Sequence, residues 1–158
     1  MRKKKFIDSR IDLVNKYSHI YNIDRRELYA ILLLEYVNRG HWLTRSIEKL
    51  IVNLFTNIAI RLDFSIGVAQ IKISTAKQFY PDSETMIIAK RLLNDEFNIN
   101  LCAQIINNYY HYPLKNKELL GLVKKYTTGD KYSQENISIN IYYELMKWII
   151  EESLIKIK

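Results

Sequence analysis

Residues 28–35 read Leu28-Tyr29-Ala30-Ile31-Leu32-Leu33-Leu34-Glu35. The apolar run leaves a helix no polar face, and a helix that is apolar all round belongs in the centre of a protein. Upstream, Asp24 stands three residues before Glu27, the spacing of a capping box with Asp in place of Ser or Thr. The helix therefore opens near Asp24 and runs to about Asn38, with Gly40 as a stop signal. Glu35 ends the run, four residues after Ile31 and three after Leu32, so it shares their face. A carboxylate thus stands on a stripe expected to be buried, and burial disfavours its charged form. A carboxyl kept protonated near neutral pH is the general acid that glycoside cleavage requires. The alternative is a Glu at a helix end that reaches water or meets an Arg.

Around this helix the chain of 158 residues is 48% hydrophobic and 26% charged, with four Gly and two Pro. That composition excludes a disordered chain, a collagen-like chain and a loop-rich all-β protein. The length fits one domain, 1–158, with a core of its own. A net charge of +7 favours anionic partners: nucleic acid, membrane surfaces or anionic wall polymers. The single cysteine, Cys102, excludes an internal disulfide framework and a multi-cysteine zinc site. It sits in an apolar helix and reads as core, although a nucleophilic pair with His111 is conceivable. His19, His41 and His111 show no metal-ligand spacing, so neither metal nor cofactor is expected. The basic start, Arg2 to Lys5, is followed at once by Asp8, Ser9, Arg10 and Asp12 rather than by a signal-peptide core. The run Leu28–Leu34 falls short of the roughly 20 residues that span a bilayer, so a soluble chain without a membrane span is expected.

Apolar spacing elsewhere is mostly helical. Ile11, Val14, Tyr17, Ser18 and Tyr21 mark a first helix from near Asp8. Thr44 opens a third through Ile47, Leu50, Ile51, Leu54, Phe55 and Ile58. Residues 63–71, Asp-Phe-Ser-Ile-Gly-Val-Ala-Gln-Ile, alternate briefly and predict a loop or small hairpin. Ser74 opens a short helix ended by Pro81. Ser83–Leu93, Ile99–Tyr110 and Lys117–Tyr126 follow, and Ser133 or Gln134 opens a final helix through Ile139, Tyr142, Tyr143, Met146, Trp148 and Ile149. The class is mostly α, about eight helices around a central buried one, with a small β patch.

The order of these features resembles the lysozyme-like superfamily, closest to lytic transglycosylase and goose-type lysozyme domains. There a central helix ends in the catalytic Glu, matching Glu35. A Ser-x-Gly-Leu-x-Gln-Ile strand patch along the cleft matches Ser65-Ile66-Gly67-Val68-Ala69-Gln70-Ile71, and a Thr-Ala pair matches Thr75-Ala76. Asn98-Ile99 resembles the Asn-Ile pair that opens a later core helix. Tyr126-Thr127-Thr128-Gly129 resembles a Tyr-Asn-x-Gly cleft motif. The matches run from Leu28 to Gly129. Tyr36 replaces the usual Ser after the Glu, Val68-Ala69 a larger pair, and Thr127 the Asn. Residues 45–60 lengthen the interval between Glu35 and Ser65.

The resemblance implies a peptidoglycan-cleaving glycosidase, lytic transglycosylase or muramidase, whose partner is the glycan strand and which acts on the cell wall after export or lysis. Glu35 would protonate the glycosidic oxygen. Gly67 would let backbone approach a sugar, or simply serve a turn. Gln70 would bind sugar hydroxyls or orient the acid, or tie its loop to a helix. Tyr126 would hydrogen-bond Glu35 or the sugar and wall the site, or pack in the core; Ser65, Thr127 and Gly129 would line the substrate groove. Asp63 is the best candidate for a second, water-activating carboxylate, which inverting hydrolysis places roughly 6.5–9.5 Å from the acid; the alternative is a loop cap. Tyr109, Tyr110, Tyr112 and His41-Trp42 could stack on sugars. Two other functions fit the chain: a lysozyme-like glycan-binding module without catalysis, and a basic helical nucleic-acid binder. The latter is not expected, because the cations are spread rather than gathered on one recognition helix.

Overall fold

The computed structural model describes residues 9–38, 42–111, 119–128 and 137–153. Among them the helices are α1 (Ile11–Ile20), α2 (Arg25–Asn38), α3 (Trp42–Leu54), α4 (Thr56–Arg61), α5 (Ile73–Phe79), α6 (Thr85–Arg91), α7 (Asp95–His111), α8 (Leu119–Thr128) and α9 (Ile137–Ser153). Between α4 and α5, β1 (Ser65–Ile66) and β2 (Ile71–Lys72) pair antiparallel, Ser65 with Lys72 and Ile66 with Ile71. The molecule is mostly α with a small β hairpin, as the periodicity implies. The expected stop at Gly40 and the expected helix starts near Asp8, Lys117 and Ser133–Gln134 lie outside the described residues.

The centre is α2, which buries Leu28, Tyr29, Ala30, Ile31, Leu32 and Leu34. α1, α7 and α9 pack around it. α9 supplies Ile139, Tyr142, Met146 and Ile149, one stripe at helical spacing. α7 is nearly as enclosed as α2 and buries Ile99, Leu101, Cys102 and Ala103 on adjoining faces. Asp24 caps α2: its Oδ1 accepts the Arg26 N–H at 2.8 Å and its carbonyl accepts those of Glu27 and Leu28. Glu27 does not close the capping box. Its carboxylate instead accepts the Tyr110 hydroxyl from α7.

Two boundaries differ from the sequence reading, each through a local contact. α7 starts at Asp95 rather than Ile99, because Asn94 Oδ1 takes the Phe97 N–H at 2.9 Å as an N-cap. Asp95 then gathers Arg10 and Arg45, tying the approach to α1 and the start of α3 to the positive end of α7. The third helix breaks at Phe55 into α3 and α4, with Thr56 bonding back to the Val52 carbonyl at 2.6 Å. Its orientation is also unexpected. Val52 and Glu48 point inward, while Ile47, Leu50, Leu54, Phe55 and Ile58 are exposed.

The hairpin turn Gly67–Gln70 lies against α7. Asn98, fully buried, donates from Nδ2 to the carbonyls of Ile66 (2.9 Å) and Leu92 (3.1 Å) and accepts the Ala69 N–H at 2.8 Å. Gly67 has φ +85°, and a Cβ there would stand 2.0 Å from Asn98 Nδ2 and 2.4 Å from the Leu92 carbonyl. Both facts demand glycine.

Gly67→Ala should therefore cost about 3 kcal/mol or more of folding stability in a denaturant titration, through left-handed backbone strain added to overpacking. A second expectation concerns pH. Burial, aided by the Asp24 charge and opposed by the Tyr110 hydrogen bond, raises the Glu27 carboxyl above its ordinary 4.5. A raised folded value contributes stability that is complete below about 4.5 and is lost as pH rises through it. Glu27→Gln keeps an acceptor for Tyr110 and has no charge to bury. Its denaturation midpoint should gain on the wild type between pH 4 and pH 7; an offset equal at both pH values would contradict the burial argument.

Candidate active site

Glu35 occupies the last turn of α2 and is half-buried. The apolar run fixes this position: burying Leu28, Ile31, Leu32 and Leu34 carries Glu35 to the edge of the core, facing α9. Tyr142 of α9 donates its hydroxyl to Glu35 Oε1 at 2.9 Å. This partner is 107 residues distant and was not anticipated from the sequence. A signal existed: Tyr142 falls on the buried stripe of its helix, and a buried phenol requires a hydrogen-bond partner.

Three neutral groups lie near the carboxylate. Burial first, then the Glu35 charge and its hydrogen bond, hold the Tyr142 hydroxyl well above its ordinary range. Tyr126 of α8 is raised as well, by burial and then by Cys102, Glu35 and Tyr142; its ring is partly exposed while its hydroxyl lies in the interior. Burial and the Glu35 charge push the Cys102 thiol up to about 12, against the Tyr126 hydrogen bond. All three keep their protons at neutral pH. Tyr142 is therefore a donor to Glu35 and orients its carboxylate.

A second chain of hydrogen bonds joins this cluster to the hairpin. Tyr126 donates to the Ala69 carbonyl at 2.5 Å, and Cys102 Sγ lies 3.6 Å from the Tyr126 oxygen. Because the phenol proton is given to Ala69, the thiol is the donor in that contact. Tyr126 thus links the hairpin turn to the surroundings of Glu35; its hydroxyl is given to Ala69 rather than, as the sequence reading expects, to Glu35 or a sugar.

Other candidate residues are engaged elsewhere. The Gln70 amide donates to the Gly67 carbonyl at 2.9 Å and toward Glu48 at 3.5 Å, and its backbone φ is +49°. It ties the turn together. At Gly67 the close approach is made by Asn98. Val68 and Ala69 are buried. Asp63 accepts both the N–H and the hydroxyl of Ser74, at 2.8 and 2.7 Å, and so caps α5 from the loop before β1. Thr127 bonds back to the Val123 carbonyl of its own helix at 2.8 Å. Ser65 lies in the ladder opposite Lys72. Gly129, His41 and Tyr112 lie outside the described residues. Tyr109 and Tyr110 meet edge to face at 5.5 Å. No group of three or more His, Cys, Asp or Glu that could hold a metal exists among the described residues.

Glu48 is the further polar residue that sequence reasoning passed over. It is 8% exposed and accepts the Gly67 N–H at 3.2 Å as well as the Gln70 amide. The segment 45–60, which lengthens the chain between Glu35 and Ser65, thereby braces the turn. Its only sequence signal is the four-residue step from Glu48 to Val52, which places a carboxylate on the buried stripe.

No family model matches the chain, and none of the curated proteins or solved structures compared with it is significantly similar.

The raised Cys102 thiol implies an inert side chain rather than a nucleophile. An aromatic disulfide reagent at pH 8 should leave Cys102 unmodified in the folded protein and label it fully in guanidinium; rapid labelling of the folded state would contradict the burial.

Proposed function

We propose that this chain cleaves the glycan strands of bacterial peptidoglycan, with Glu35 as the proton donor. One observation carries the reading: a carboxylate at the end of the central apolar helix is oriented by Tyr142 and lies beside the Tyr126–Ala69 link to the Ser-x-Gly-x-x-Gln-Ile hairpin. The resemblance of the segment 28–129 to lytic transglycosylase domains supports the same assignment.

In this reading protonated Glu35 gives its proton to the glycosidic oxygen as the bond from that oxygen to the sugar C1 breaks. The carboxylate left behind then accepts the proton of a hydroxyl on the same sugar as that oxygen attacks C1. Glu35 regains its proton, and the product is an internal anhydro sugar. The one-carboxylate route fits the engagement of Asp63 by Ser74, which occupies the best candidate for a water-activating base. Tyr142 holds the Glu35 carboxyl in one orientation through both proton transfers.

The test is clearing of purified cell walls by the wild type and by Glu35→Gln, a substitution that keeps an acceptor for Tyr142. Loss of a positioned proton-transfer group should slow clearing by about a hundredfold or more. Mass spectrometry of the digest should show anhydro ends. Equal clearing by both proteins would remove Glu35 from the chemistry. Retention on walls without product from either would assign the chain to glycan binding.

A further inference from the structure

Among the longer helices described, α3 is the most strongly amphipathic. Such a helix ordinarily turns its apolar stripe to the core. α3 does the reverse. Ile47, Leu50 and Leu54, at spacings of three and four, are exposed, Leu54 to 66%. Phe55, Ile58 and Leu62 continue the exposed apolar residues through α4. An exposed apolar surface of this extent, built on two consecutive helices, marks an interaction site.

The charges of the same segment choose the occupant. Between residues 45 and 62 the cations are Arg45, Lys49 and Arg61, and the sole carboxylate is Glu48. Glu48 is turned inward on the hairpin turn, and Arg45 is paired with Asp95. Lys49 and Arg61 are exposed and enter no ion pair among the described residues. Within residues 45–62 the outward surface is therefore apolar and cationic, with no exposed carboxylate of its own. Leu and Phe on one side, Lys and Arg beside them, and an exposed polar remainder of Ser46, Asn53 and Asn57 are the composition of a surface that lies in the headgroup region of an anionic bilayer. The overall charge of +7 acts in the same direction. An isologous pairing with a second copy would set the same cationic patch on both sides, so Lys49 and Arg61 would meet no exposed carboxylate from segment 45–62. The outer stripe of α9, with Ile137, Ile141, Leu145 and Trp148, carries three exposed carboxylates, Glu144, Glu151 and Glu152, against the one cation Lys147, and lacks this match to anionic lipid.

We infer that the outward face of α3 and α4 docks onto an anionic lipid bilayer surface. The face lies on different residues from the Glu35 cluster, so the inference stands apart from the proposed cleavage.

Co-sedimentation of the full chain with vesicles tests it. The wild type should pellet with phosphatidylcholine–phosphatidylglycerol vesicles and not with phosphatidylcholine alone. Leu50→Ser combined with Leu54→Ser should weaken that binding about tenfold or more, and so should Lys49→Glu combined with Arg61→Glu. These positions are exposed, and unchanged circular dichroism and melting would show that the variants fold. Glu35→Gln should pellet like the wild type. The inference is overturned by equal pelleting with both vesicle types, by none with either, or by the leucine variant pelleting like the wild type. It is also overturned by a dimer in light scattering that the leucine variant dissolves while vesicle binding is absent, which would assign the face to a second copy.

Discussion

The structure depends on one buried carboxamide. Asn98 sits in the first half of α7 with no exposed surface, and all three of its hydrogen bonds go to backbone: Ile66 and Leu92 carbonyls and the Ala69 N–H. These groups belong to the hairpin and to the end of α6, segments with little regular structure of their own. Buried backbone that cannot pair with its neighbours must be satisfied by side chains, and each group left unmet costs about 1–3 kcal/mol. Asn98 is suited to this because one planar group carries both donors and acceptors. Around it the turn is completed by Glu48 on the Gly67 N–H and Tyr126 on the Ala69 carbonyl. Three helices thus each contribute a polar side chain to one four-residue turn.

This network explains which parts of the fold were legible in the sequence. The central helix, its cap at Asp24 and the hairpin at 65–72 could be read because each is written locally: a continuous apolar run, a capping spacing, a brief alternation around a glycine. The role of Asn98 could not be. As the first member of an Asn-Ile pair it reads as the opening of a helix, yet α7 is capped by Asn94, and Asn98 projects from within it toward the hairpin. Gly67 was legible as a special position but not in its cause. What comes close to it is Asn98, whose side chain arrives from 31 residues downstream.

The candidate site divides in the same way. Glu35 is legible because its misfit is local, a carboxylate on an apolar stripe. The order of motifs singles out Tyr126, but not its hydrogen bond to the Ala69 carbonyl. Tyr142 is not legible, because twelve tyrosines offer twelve candidate partners and periodicity cannot pair residues across the chain. Structure resolves the choice through packing: α9 closes against α2, and the tyrosine on its inner stripe meets the only carboxylate in the last turn of α2. Burial then keeps that phenol, the Tyr126 phenol and the Cys102 thiol in their neutral forms.

The orientation of α3 connects the interior network to the surface. Glu48 and Val52 stand on one stripe of this helix, and Ile47, Leu50 and Leu54 on another, so a single rotation about the helix axis decides which faces the core. Turning the leucines inward would bury more apolar area, and on propensity and moment alone it is the expected state. It would also take Glu48 away from Gly67 and leave a buried N–H without its acceptor. The fold adopts the orientation that satisfies the turn. Its consequence is an apolar surface presented to the outside beside Lys49 and Arg61. Docking of that surface would recover the burial that the rotation forgoes. On this argument the carboxylate bracing the hairpin and the surface offered to a bilayer are two results of one helix orientation, and neither can be altered by rotating α3 without losing the other.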